Sequence, residues 1–217
     1  MVQLENVVFD AVDPQAVGRF WESELGTEPL TDEEAGYETR LAVPDGPVLD
    51  LCFQRVAEPP TGPQRLHLEI VDDADTELEL TDPGGNPFTE LPAGSAYADD
   101  SPLATIVLAA ADPERDRRFW SWLTGWEPVD PGPVVGLRHP SHRGPLLELR
   151  PEAAPKGEGK NRIHLDVRLE PGEDADAVAT AIVERGGREL HFDWGELPWR
   201  HFADPSGNEF CMLRAPV

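Results

Sequence analysis

Short apolar runs along the chain alternate with polar positions, and turn-forming glycine, proline and acidic residues separate the runs. The first run, around residues 7–12, predicts a strand. Asp13 and Pro14 then supply a helix N-cap and a first-turn proline, and the apolar stripe that follows ends at Gly26. Two alternating segments, at 38–43 and 49–54, predict further strands. This order of elements predicts a module of the type βαβββ.

The same pattern occurs a second time in the chain. Four blocks recur in one order: an apolar run ending in Asp-Pro, an Arg-Phe-Trp helix segment, a His-containing strand and an Asp-Pro-x-Gly-Asn turn. They lie at 7–14 and 106–113, 19–21 and 118–120, 65–69 and 162–166, and 82–86 and 204–208. Such a series indicates a tandem duplication, which determines the fold. We therefore predict two units, residues 1–98 and 99–217.

The second half of each unit differs in length. His67 and Asp82 are 15 residues apart, whereas His164 and Asp204 are 40 apart, so the first unit lacks about 25 residues. In the second unit this stretch includes an amphipathic segment, 174–185, that predicts a helix. The first unit has no room for this helix. Its loss leaves one sheet partly uncovered, which predicts self-association, for example as a homodimer.

Composition limits the partners of the chain. Its 217 residues hold 42 acidic and 18 basic side chains, and a net charge of -24 disfavours nucleic acid and anionic membranes. No stretch approaches the roughly 20 apolar residues of a membrane span, and we expect no signal peptide. Two widely spaced cysteines make no disulfide framework, so we expect a cytoplasmic protein. Residues 1–100 carry 23 acidic and four basic side chains, so we expect the pocket in the better balanced second unit.

Several segments resemble one family of proteins. They are the Asp-Pro, Arg-Phe-Trp and Gly of the two repeated helices, Leu-Cys-Phe-Gln-Arg-Val at 51–56, Lys-Asn-Arg-Ile-His-Leu-Asp at 160–166, and Ala-Asp-Pro-Ser-Gly-Asn-Glu-Phe-Cys at 203–211. In this order they resemble the vicinal-oxygen-chelate superfamily (glyoxalase, bleomycin resistance, extradiol dioxygenase), and in particular its actinobacterial glyoxalase-like domain branch. The resemblance implies an α+β fold in which tandem βαβββ modules form curved mixed sheets around a concave pocket.

The resemblance also implies where a metal would bind. Metal-using members draw ligands from four strand positions, which here are Thr105, Glu148, His164 and Cys211 in the second unit and Asn6, Asp50, His67 and Thr89 in the first. A divalent ion usually has three or four good ligands. The first unit offers only His67 and Asp50, which disfavours a metal there. We expect no resident cofactor, and the alternative is zinc, iron, nickel or manganese at His164, Glu148 and Cys211.

Strand alternation around His164 predicts further pocket residues, because alternate residues of a strand share a face. Near the last strand, Trp194, Trp199 and His201 predict an aromatic wall for an apolar or planar ligand, with core packing as the alternative. Cys211 beside His164 is a candidate nucleophile, although free cysteines are typically small buried apolar groups. The predicted ligand-binding residues are His164, Asp166, Trp199, His201, Glu148 and Cys211.

Three functions stay open at this point. The first is a small-molecule binding protein of the bleomycin-resistance type, which acts by sequestration. The second is a metal-dependent lyase or dioxygenase with His164 and Glu148 as ligands, and the third is a scaffold whose pocket has no ligand. The incomplete ligand sets favour binding over catalysis, because the reactions that the resemblance implies depend on a metal as Lewis acid.

Overall fold

The computed structural model describes residues 2–58, 61, 64–72, 76–95, 101–129, 134–192, 195 and 197–216. These residues form the predicted α+β fold, with helices packed on two mixed sheets. The first unit comprises β1 (Val2–Ala11), α1 (Pro14–Leu25), β2 (Glu28–Glu33), β3 (Gly36–Ala42), β4 (Val48–Arg55), β5 (Leu66–Asp72), β6 (Leu78–Thr81) and β7 (Pro87–Pro92). The second comprises β8 (Leu103–Ala110), α2 (Pro113–Thr124), β9 (Glu127–Pro128), β10 (Gly136–Arg138), β11 (Leu146–Pro151), β12 (Ile163–Leu169), α3 (Ala175–Glu184), β13 (Arg188–Leu190), β14 (Trp199–Ala203) and β15 (Glu209–Leu213).

The helices begin and end where the sequence supplies caps. The carboxylates of Asp13 and Asp112 each accept a hydrogen bond, at 3.1 Å, from the backbone N–H three residues later. Both helices end at a glycine in the left-handed region, with φ of 58° at Gly26 and 74° at Gly125. Asp174 caps α3, which confirms the predicted third helix. None of the helices in the described ranges is long and apolar enough to cross a membrane.

The two units are interleaved in the sheets. Sheet A has the strand order β13-β14-β15-β12-β1-β4-β3-β2, and sheet B has the order β6-β7-β5-β8-β11-β10-β9. The antiparallel pairs β1–β12 and β5–β8 join halves of different units. Each sheet therefore combines one half of the first unit with one half of the second. The two units therefore pair with each other within one chain.

Two tryptophans connect the helices to the repeated turns. The Trp21 indole N–H donates to Asp82 at 3.0 Å, and that of Trp120 donates to Asp204 at 3.2 Å. Both indoles are almost fully buried against the sheets. Each bond links the first half of a unit to its second half, although the two halves belong to different sheets. The Arg-Phe-Trp and Asp-Pro-x-Gly-Asn motifs thus hold the two sheets together.

Candidate functional site

One face of sheet A carries most of the predicted site residues. Strand pairing aligns five of them in a row across neighbouring strands, namely Asp50, Asn6, Asp166, Cys211 and His201. Because alternate residues of a strand share a face, His164 lies in the next row of the same face. Asn6, Asp166, Cys211, His201 and His164 all line one common space.

A cavity of about 940 Å³ lies over this face. Residues of β1, β3 and β4 from the first unit line it together with residues of β12, β14 and β15 from the second. Cys52 and Tyr37, for example, belong to the first unit and line the same space as His164. The prediction of a pocket in residues 101–217 alone is therefore wrong, because interleaving of the units gives sheet A one half of each.

Three buried side chains form a compact cluster in the cavity. The Nε2 atom of His164 lies 3.7 Å from Sγ of Cys211 and 3.5 Å from Oδ1 of Asp166. Asn6 donates a hydrogen bond from Nδ2 to Oδ2 of Asp166 at 3.2 Å. One donor atom from each of His164, Asp166 and Cys211 lies within 4.8 Å of the other two. We call these three residues the His-Asp-Cys cluster.

Burial controls the protonation of the cluster. It lowers the pKa of His164 well below its usual value, and the nearby Lys160 and His201 act in the same direction. Burial raises the pKa of Asp166 to about 6. Burial, followed by the charge of Asp166, raises the pKa of the Cys211 thiol. At neutral pH the imidazole is therefore uncharged and the thiol protonated, which opposes a nucleophilic role for Cys211.

The cluster has the donor types and spacing that a divalent metal requires. Tetrahedral bonds of about 2.0–2.3 Å to nitrogen, oxygen or sulfur place neighbouring ligand atoms roughly 3.3–3.7 Å apart, which matches the two distances from His164. Oδ1 of Asp166 and Oδ1 of Asn6 are buried acceptors without a hydrogen-bond partner, and a cation held by the cluster would satisfy that of Asp166. Asp50 does not contribute, because Arg40 binds both of its oxygens at 2.7 Å. The His-Asp-Cys cluster therefore fits a metal.

The ligand set grouped from the sequence needs two corrections. Glu148 lies on β11 in sheet B, whereas His164 and Cys211 lie in sheet A, so the three do not meet. His67 and Asp50 are likewise separated, on sheets B and A. The reason is the same for both pairs, since the two halves of one unit join different sheets. The carboxylate that lies beside His164 and Cys211 is that of Asp166, not that of Glu148 as predicted.

Trp199 and His201, predicted to form an aromatic wall, are among the residues that line the cavity, and their role in binding a ligand stays a prediction. The Trp199 indole N–H donates to Nε2 of His201 at 3.1 Å. Phe192, which the sequence analysis missed, packs edge-on against His201 with ring centroids 5.1 Å apart. Its signal in the sequence is an aromatic residue just ahead of the Trp-containing segment. Trp194, predicted for the same wall, lies outside the described residues.

Comparison with known proteins identifies the family of the chain. The family model for the glyoxalase-like domain matches twice, at residues 6–96 and 105–213. The chain belongs to the glyoxalase-like domain family. This confirms the inferred resemblance to the glyoxalase-like domain and the tandem arrangement of two copies. No curated protein matches the chain significantly.

Solved structures show the same fold at low sequence identity. Glyoxalase I from Zea mays has a TM-score of 0.69 and 17% identity, over 99% of this chain and 92% of that protein. A proposed dioxygenase from Bacillus subtilis has a TM-score of 0.59 and 15% identity, over 99% of this chain and 86% of that protein. At these identities the likeness concerns the fold.

Proposed function

We propose that this glyoxalase-like protein binds a small, apolar or planar organic molecule in the cavity of sheet A. The observation that carries the proposal is a concave space of about 940 Å³ with aromatic side chains at its mouth and a buried polar cluster beneath. Ligand pockets in proteins typically have roughly 300–1,000 Å³ and combine apolar walls with a few polar groups. Sequestration of the ligand would then be the activity, as in the bleomycin-resistance type.

The aromatic residues supply the wall for the ligand body. Trp199 and Phe192 both contact His201, and the bond between the Trp199 indole and His201 fixes both of those rings. That bond also makes Nε2 of His201 an acceptor, so its imidazole is uncharged, in agreement with a pKa lowered by burial. An uncharged, pre-positioned aromatic surface favours a planar apolar partner at little entropic cost.

A dye titration tests this proposal. Nile red, a neutral planar dye, should bind with one molecule per chain and increase in fluorescence. Trp199→Ala should weaken its binding roughly tenfold, the size of effect expected for a buried aromatic anchor. Trp122→Ala is the matched control, because Trp122 lies on α2 away from the cavity and stacks under Arg185. Equal dye affinity in both variants would refute the proposed wall.

A metal-dependent lyase or dioxygenase is the second candidate. The observation that favours it is the His-Asp-Cys cluster, whose donor atoms lie within 4.8 Å of one another. The names of the two structural neighbours, a glyoxalase I and a proposed dioxygenase, point to the same classes. His164, Asp166 and Cys211 would hold the ion, which would act as a Lewis acid on a bound oxygen. Asn6 would help to position Asp166 through its hydrogen bond to Oδ2.

Metal analysis decides between the two candidates. If the second is correct, protein purified without added metal contains one equivalent of zinc, iron, nickel or manganese by elemental analysis. His164→Ala and Cys211→Ser should both lose it. Cys52→Ser is the control, since Cys52 also lines the cavity but donates to Glu38 at 3.2 Å, outside the cluster. Metal-free protein that still binds the dye would leave binding as the function.

A further inference from the structure

Sheet B repeats the layout of sheet A with different side chains. In sheet B, β8 has the central position that β1 has in sheet A. β5 pairs antiparallel with β8, as β12 does with β1. His67 pairs with Val107 as His164 pairs with Val8. Glu69 pairs with Thr105 and Thr89, as Asp166 pairs with Asn6 and Cys211. His67, Glu69 and Thr89 are therefore the counterparts of the His-Asp-Cys cluster.

The pairing of β11 identifies two further counterparts. Glu148 pairs with Val107 and Arg150 with Ala109. In sheet A, Cys52 pairs with Val8 and Gln54 with Asp10. Glu148 thus corresponds to Cys52, and Arg150 corresponds to Gln54. The family resemblance implied a different counterpart for Glu148, namely Asp50. Asp50 lies two residues before Cys52, the counterpart that the strand pairing gives.

Arg150 binds the carboxylates of sheet B. Its Nε and Nη2 atoms donate to the two oxygens of Glu148 at 2.9 and 2.8 Å, and Nη2 also donates to Oε1 of Glu69 at 2.9 Å. Nε2 of His67 lies 3.8 Å from that same Glu69 oxygen. The side chains of Glu69 and Glu148 are only 12% and 10% exposed, so their charges need a partner. The bond to Glu148, followed by that to Glu69, raises the pKa of Arg150.

We infer that the guanidinium group of Arg150 occupies the position on sheet B where a metal ion would otherwise bind. Its removal then opens a divalent-metal site formed by His67, Glu69 and Glu148. One imidazole and two carboxylates suit zinc and manganese. Gln54, the uncharged counterpart of Arg150, donates to Asp10 instead and leaves the cluster of sheet A open. Among the described residues, the only group with metal-ligand spacing is then the cluster on sheet A. This inference does not depend on which ligand sheet A binds.

Metal titration of Arg150→Gln tests the inference, with glutamine chosen because it stands at the counterpart position. All proteins also carry His164→Ala, so that a metal on sheet A does not contribute. After removal of metal by a chelator, calorimetric titration with Zn²⁺ and with Mn²⁺ should show one equivalent bound to the Arg150→Gln protein and none to its parent. Adding His67→Ala should abolish that binding. An Arg150→Gln protein that binds no more than its parent overturns the inference.

Two further variants distinguish a metal site at Arg150 from a general effect of losing an arginine. Arg200→Gln also removes a guanidinium held by two carboxylates, Glu189 and Asp176, and should gain no metal. Arg150→Lys keeps the positive charge and should also gain none, so metal binding by either variant contradicts the inference. If Arg150→Gln does not fold without metal, because two carboxylates are left close together, Zn²⁺ or Mn²⁺ should restore folding. Failure of both ions to restore it overturns the inference.

Discussion

Hydrogen bonds separate the buried polar side chains of this protein into two kinds. The carboxylate of Asp204 accepts four, from the amides of Ser206 and Asn208, the Asn208 side chain and the Trp120 indole. Asp166 and Asn6 are buried to a similar degree, yet each keeps an oxygen without a partner. Buried polar groups are normally satisfied, and an unsatisfied one costs about 1–3 kcal/mol. Hydrogen bonds within the fold therefore satisfy the carboxyl group of Asp204, whereas the unsatisfied oxygens of Asp166 and Asn6 belong to residues that line the cavity.

Asp204 leads to a prediction about pH. Burial raises its pKa to about 6, above the 3.8 of an ordinary aspartate, so the folded state favours the neutral form. Its contribution to stability is complete below pH 3.8 and is lost as pH rises through 6, by about 3 kcal/mol in total. Relative to Asp204→Asn, which does not titrate, the wild type should lose about 1–2 kcal/mol between pH 5 and 7.5. Urea unfolding at each pH measures this difference.

An exposed position provides the control for this measurement. Asp45 has a φ of 55°, a conformation that asparagine also tolerates, and Asp45→Asn removes the same charge from the surface. Its stability relative to wild type should vary little over that pH range. A difference between wild type and Asp204→Asn that stays constant with pH would contradict the assignment.

At the scale of elements, local sequence signals predicted most of the structure. Asp13 and Asp112 cap their helices as predicted, because the cap and the proline after it act within one turn. α3 lies at the predicted segment, and the five residues between β5 and β6 are too few for its counterpart. β6 exposes Leu78 and Leu80, so self-association through this uncovered region stays a prediction.

The partners of the strands could not be predicted in this way. A repeat shows that β4 and β11 are equivalent elements, but an open strand edge accepts any neighbour with a matching hydrogen-bond pattern. Pairing across units therefore separated Glu148 from His164 and brought Asp166 to Asn6 instead. Five of the six residues predicted for the site line one cavity, and their role in binding stays a prediction; which of them lie together required the sheet topology.

At the scale of the whole molecule, the duplication creates two similar faces that differ in charge compensation. Sheet A has a cavity and a cluster with polar atoms that lack hydrogen-bond partners, whereas on sheet B Arg150 binds the carboxylates of Glu69 and Glu148. The acidic first 100 residues of the chain, with 23 acidic and four basic side chains, contribute strands to both sheets. Charge therefore does not separate a functional half from an inactive one.

The central claim is that one ligand site lies on sheet A and that both units build it. The most direct test compares Val8→Phe with Val107→Phe in Nile red titrations, after circular dichroism has shown that both variants are folded. Val8 lines the cavity from the first unit and pairs with His164, and Val107 is its counterpart on sheet B. Val8→Phe should weaken dye binding roughly tenfold or more by filling the cavity, whereas Val107→Phe should bind as wild type does. Unchanged binding by Val8→Phe, or an equal loss in Val107→Phe, would contradict the account.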